Sequence, residues 1–302
     1  MSDQASSLRA VLYALSANFG IFLAKAVAAV ITGSTSMLAE AIHSLADCGN
    51  QGLLLRGMRE ARREPTQDHP LGYGKVVYFW AFLVSVLLFT VGGAFSIYEG
   101  SHKLLAPEPI KWPWIAIAVL AVAVALESVS LAGCLREIHK TARGRSLWRF
   151  FRESRSSELI VVMGEDIAAL AGLVIALLAV LLALATGNPV FDAVGSIAVG
   201  ALLIVVAVLL AIEIKALITG QSADPFVEAA IGDLIRQRPE VAELYNLLTL
   251  QLGDDVLVAI KARMTETKDA LRLVDDVNRV EAALRQAIPE VRWMFFEPDT
   301  QA

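Results

Sequence analysis

The chain has 302 residues, of which 56% are hydrophobic and 19% charged, with a formal charge of −5 at pH 7. Such a composition is too apolar for an ordinary water-soluble protein of this length, and nothing in its charge suggests nucleic-acid binding. The two cysteines, Cys48 and Cys134, both lie inside apolar segments, which excludes a disulfide framework and a cysteine-based zinc knuckle.

An α-helix needs about 20 apolar residues to cross the hydrocarbon core of a bilayer. The pattern predicts six such spans, at roughly 9–32, 36–57, 75–101, 112–135, 158–186 and 190–219. The opening MSDQASSLRA has no basic stretch followed by a short apolar core and a cleavage site, so no removable signal peptide is expected there. The loop after the second span carries Arg56, Arg59, Arg62 and Arg63, and the loop after the fourth carries Arg136, Lys140, Arg143, Arg145, Arg149, Arg152 and Arg155. Segments 33–36 and 187–189 carry no basic residue, and 102–112 has only Lys103 and Lys111. The positive-inside rule then puts both termini in the cytoplasm of a multi-pass membrane protein, expected in a bacterial inner membrane.

Residues 1–220 are expected to form the transmembrane domain, and from residue 221 the composition becomes that of a small soluble domain. Helical periodicity fits PFVEAAIGDLIRQRP, strand alternation fits LYNLLTLQLGDDVLVAIKARM around a Gly-Asp turn, a second amphipathic helix fits LRLVDDVNRVEAALRQAI, and VRWMFFE closes the chain as a strand. The predicted fold class is a six-helix membrane protein with a cytoplasmic α+β domain of order αββαβ, ferredoxin-like, over 221–302.

Ionisable groups are costly in hydrocarbon, so a span that keeps them has a pathway or a partner for them. In AEAIHSLADCGNQ, His43 and Asp47 are four residues apart and Asn50 is seven from His43, so all three share one helical face. An imidazole and a carboxylate at that spacing suit one cation, with Asn50 as pore lining or as polar glue between helices. In VVMGEDIAALAGL, Glu165 and Asp166 sit side by side near the start of the fifth span. His43, Asp47 and Asp166, completed by Glu165 or water, would supply the three to four ligands that Zn²⁺ takes. The bland readings are a histidine hydrogen-bonded to its own Asp47, and an interfacial acid pair facing the arginine-rich loop. Lys25, Glu40, Glu99, Glu127 and Asp192 read as ion-pairing residues, and Cys48 as packing. No H-E-x-x-H helix is present, so enzyme activity is not expected.

Nearly the whole chain resembles the cation diffusion facilitator family of six-span metal exporters, in wording nearest the subgroup containing the ninth mammalian zinc transporter. GSTSMLAEAIHSLADCGNQ resembles the family's second span, DHPLGYGK at 68–75 the opening of the third, IYEGSHKLL at 97–105 its end, and the αββαβ tail the dimerisation domain. The resemblance implies a homodimer in the bilayer, with His43, Asp47 and Asp166 as metal ligands, a divalent cation such as Zn²⁺ as cargo, protons as counter-ion and no further cofactor. Zn²⁺ is the expected ion; Mn²⁺, Co²⁺ or Fe²⁺ as the preferred ion, or a non-transporting scaffold or sensor of the same fold, are the alternatives. The family's other fifth-span ligand position falls on Val162. Its accessory histidine pair falls on His69 and Tyr73, so that site is expected to be weak or absent. Beyond residue 139 there is no histidine or cysteine, so a zinc-sensing tail is not expected.

Overall fold

The computed structural model describes residues 2–32, 35–106 and 112–301, with side chains over 5–31, 41–106 and 112–301. Its first part is a bundle of six long helical rods. These are α1 (Ser2–Thr32), α2 (Thr35–Ala61), a composite third rod, α5 (Pro113–Thr141), α7 (Ser157–Thr186) and α8 (Val190–Thr219). The third rod joins α3 (Val76–Leu87) through a π-helical segment (Leu88–Ala94) to α4 (Phe95–Leu105), and α6 (Leu147–Glu153) is a short helix between α5 and α7. The predicted loops 33–36 and 102–112 lie partly outside the described residues, and the side chains of Glu40 and Lys111 wholly so.

Among the described residues, five rods are long and apolar enough to cross a membrane by length and composition, and α2 is not one of them. The reason is local: α2 carries His43, Asp47, Asn50 and Gln51, with Arg56 and Arg59 toward its end. A bundle accommodates such a helix by turning its polar face inward. Accordingly α2 packs between α1 and α3, while α7 packs against α5 and α8.

The π-helical segment, which the periodicity did not reveal, meets α8 backbone to backbone. A Cβ on Gly200 would lie 2.7 Å from the Gly93 carbonyl oxygen, and one on Gly93 would lie 3.1 Å from that of Gly200. Only glycine permits this approach. The arginine-rich loop also makes specific contacts. Arg145 pairs with Asp224 at 2.7 Å, Arg152 with Glu213 at 2.6 Å, and Arg155 donates to the Ser222 carbonyl at 2.7 Å. Asp224 in turn caps the next helix by accepting the Phe226 N–H at 3.0 Å.

The remaining elements follow the predicted order: α9 (Pro225–Arg236), β1 (Val241–Leu252), β2 (Asp255–Met264), α10 (Ala270–Ala287) and β3 (Val291–Pro298). β2 is the central strand, antiparallel to β1 and parallel to β3. Alternation along β2 turns Val256, Val258, Ile260 and Ala262 into a core shared with Ile231, Ile235, Val280 and Leu284. The opposite face carries a row, Leu248–Ala259–Phe295, aligned across the three strands. Its two large side chains are 60% and 59% exposed.

The β1–β2 turn rests against the bundle. Gly253, at φ +70°, donates its N–H to the Tyr78 hydroxyl at 2.9 Å, and Tyr78 is fully buried. A Cβ on Gly74 would lie 2.0 Å from the Leu252 carbonyl oxygen, so the turn abuts the start of the third rod with no room for a side chain.

Candidate metal site

A cavity of about 190 Å³ lies inside the bundle, and its wall includes His43 and Asp47 from α2, Glu165 and Asp166 from α7, and Glu127 from α5. The i, i+4 pair on α2 shares one helical face, and the two acids of α7 reach the same space from across the bundle. Further along, the wall includes Lys25 near the end of α1, Glu99 on α4, and Asp192 and Ser196 in the first turns of α8. These positions lie toward the bundle end where α7 passes into α8 through 187–189, opposite the end where α8 leads into α9. The cavity thus runs away from the C-terminal domain.

Each acid has its own setting. Asp166 is 2% exposed and accepts a hydrogen bond from Ser130 Oγ on α5 at 3.0 Å. Glu165 accepts from Asn50 Nδ2 at 3.1 Å and from Gln51 Nε2 at 2.7 Å. Neighbouring residues on one helix point about 100° apart, which sends Asp166 toward α5 and Glu165 toward α2. Asn50, read as pore lining or as polar glue between helices, is 6% exposed and turns its amide across to Glu165 on α7.

Lys103 bridges Glu99 at 3.1 Å and Asp192 at 3.3 Å, which is the ion pairing expected of those two acids. Glu127 differs in burial: it shares the cavity wall with Glu99 and Asp192 but is only 2% exposed, and Lys25, Asp47, Glu165 and Asp166 are on the same wall. Ser130 and Gln51 were not singled out in the sequence; their signal is their spacing from Glu127 and Asp47, one helical turn away on an inward face. Cys48 is half-buried and off the cavity wall.

Val162 is fully buried in the bundle's apolar core. His69 and Tyr73 stack at 4.4 Å, with the Arg63 guanidinium 4.5 Å from the tyrosine ring centre. Among the described residues no three His, Cys, Asp or Glu side chains stand close enough to hold a metal ion as they are placed. In chemical terms the cavity is a low-dielectric space whose carboxylates outnumber its lysine, which favours a cation or protons as the balancing charge.

Residues 11–218 match the cation efflux transmembrane domain. The chain is similar to the Xenopus laevis proton-coupled zinc antiporter SLC30A9, mitochondrial, at 31% identity over 96% of this chain and 59% of that protein. It is 34% identical to the human protein of the same name over 76% of this chain and 41% of that one. It is also similar to the Escherichia coli zinc transporter ZitB, at 24% identity over 90% of this chain and 82% of that one. The chain thus spans between two fifths and three fifths of the length of the antiporter relatives. With the transmembrane domain matched from the first rod to the last and the apolar helices that domain requires, this multi-pass membrane protein belongs to the cation efflux family.

Proposed function

We propose that the protein moves a divalent metal cation, Zn²⁺ first, across a membrane in exchange for protons, with His43, Asp47 and Asp166 as the cargo's ligands. The observation that carries this reading is the cavity inside the bundle, on whose wall α2 and α7 put an imidazole and carboxylates together. Similarity to a proton-coupled zinc antiporter and to a zinc transporter supports the same cargo and counter-ion. Carboxylates and imidazole bind a metal only when deprotonated, so metal entry expels protons and protonation expels the metal. The ion and the proton compete for the same lone pairs, which couples their movements.

Residues 1–220 serve as the transport unit and 221–302 as a cytoplasmic unit, with both termini cytoplasmic in a bacterial inner membrane. The basic loops after the second and fourth spans support that orientation. In it the cavity faces away from the cytoplasm, the arrangement of an alternating-access carrier ready to release metal or accept protons. The test is Zn²⁺, Mn²⁺, Co²⁺ and Fe²⁺ uptake into proteoliposomes under an imposed pH gradient, comparing wild type with His43→Ala. Gradient-dependent Zn²⁺ uptake that His43→Ala abolishes is the expected result; an unchanged rate without the gradient argues for a uniporter, and Mn²⁺ as the clear winner overturns the choice of cargo.

The protein works as a homodimer joined in part through the exposed row Leu248–Ala259–Phe295. Two large apolar side chains aligned on one open sheet face are characteristic of a surface covered in the assembled protein. Leu248→Asp with Phe295→Asp is expected to shift the detergent-solubilised protein from dimer to monomer in light scattering. A dimer that survives both changes places the contact elsewhere.

A further inference from the structure

Glu165 and Asp166 are adjacent in sequence but belong to two different polar groups. Asp166 is joined to Ser130 on α5, whereas Glu165 is joined to Asn50 and Gln51 on α2. Those two amides lie beyond His43 and Asp47 toward Ala61, the end of α2 nearer the C-terminal domain. Gln51 is 1% exposed, and its Oε1 has no hydrogen-bond partner. Buried acceptors left in that condition are few in folded proteins, and one beside an ionisable carboxylate suits a cation.

We propose that Glu165, on the cavity wall, forms with Gln51 and Asn50 a second cation station, adjoining the His43, Asp47 and Asp166 set and displaced from it toward the C-terminal domain. A carboxylate offers about four lone-pair positions, of which the two amide N–H groups occupy two. The remaining positions, the open Gln51 Oε1 and water give a divalent cation an all-oxygen shell. Such a shell holds Zn²⁺ less selectively than one containing imidazole and accepts Mn²⁺ as well. With a single carboxylate the hold is weak, which fits a position the ion passes through. The inference rests on the cation-transport reading above, and it fixes where the ion sits between the cavity and the cytoplasmic end.

Direct binding tests the station without relying on transport. Zn²⁺ and Mn²⁺ are titrated calorimetrically into the 302-residue chain in detergent, for wild type and for the His43→Ala, Asp166→Asn double variant. The double variant is expected to lose one bound ion per chain and keep another of weaker, less selective affinity. On that background Gln51→Leu is expected to weaken the remaining ion by roughly tenfold, and Gln51→Glu, which puts a carboxylate oxygen at the same place, to tighten it by a similar factor. A double variant that binds no ion overturns the station, and so does a remaining affinity that neither Gln51 substitution changes. Two bound ions in a protein that moves none in proteoliposomes would sink the transport reading and leave the station standing.

Discussion

Zinc uptake by a chain carrying Asp166→Asn is expected to fall by more than about 100-fold, beyond what the loss of an outer hydrogen-bond partner costs a metal site. Asparagine keeps the size of the side chain and an oxygen for the Ser130 hydroxyl, so packing at this 2% exposed position is preserved. What disappears is the negative charge, and with it both the metal's attraction and a site for the competing proton. Ser130→Ala tests the same residue from the other side. Without the hydroxyl that holds Asp166 at 3.0 Å, apparent Zn²⁺ affinity is expected to drop by about 10-fold, with Ser130→Thr restoring most of it. Proteoliposome uptake over a range of Zn²⁺ concentrations separates the two. Normal uptake with Asp166→Asn would remove Asp166 from the ligand set.

Gly200→Val is expected to destabilise the bundle by about 3 kcal/mol or more, at or above the upper end of ordinary overpacking. Besides the Ile97 Cγ1 at 2.8 Å, a side chain would meet two backbone atoms, the Gly93 carbonyl oxygen at 2.7 Å and the Ile97 nitrogen at 2.8 Å. Neither can rotate away as a side chain does, so α8 and the third rod must separate. The measurement is the thermal midpoint of the purified protein in detergent, with Gly49→Ala as the control. A Cβ on Gly49 meets nothing within 4 Å, so that change is expected to be neutral or to gain up to about 1 kcal/mol from helix propensity. An unchanged midpoint for Gly200→Val would mean that the contact contributes nothing to stability.

The contrast between these two sites explains what could be read from the sequence. Period and charge cost reveal the face of a helix, and they identified His43 and Asp47 as one inward-facing pair and Glu165 and Asp166 as the acids of another rod. Alternation and a Gly-Asp turn likewise gave the strands of the C-terminal domain, because a sheet with one buried face leaves a period-two pattern. The partner of a face is a different matter. That Asp166 meets Ser130 while Glu165 meets Gln51 depends on the rotation of α7 relative to α2 and α5, which no local pattern records. Glu127 illustrates the same limit, since a buried acid looks alike in sequence whether it faces a lysine, a cavity or both. The π-helical segment and α6 escaped because seven residues are too few to establish a period.

The joint between the β1–β2 turn and the third rod is largely main chain, Leu252 and Gly253 on one side and Gly74 on the other, fastened by the Tyr78 hydroxyl and flanked by the Arg145–Asp224 pair. Backbone contacts carry no side-chain identity, so what a grafted tail must bring is short: a glycine at the turn and an acid at the start of α9. A chimera whose tail has both keeps its grip on the bundle, and one that lacks either loses part of it.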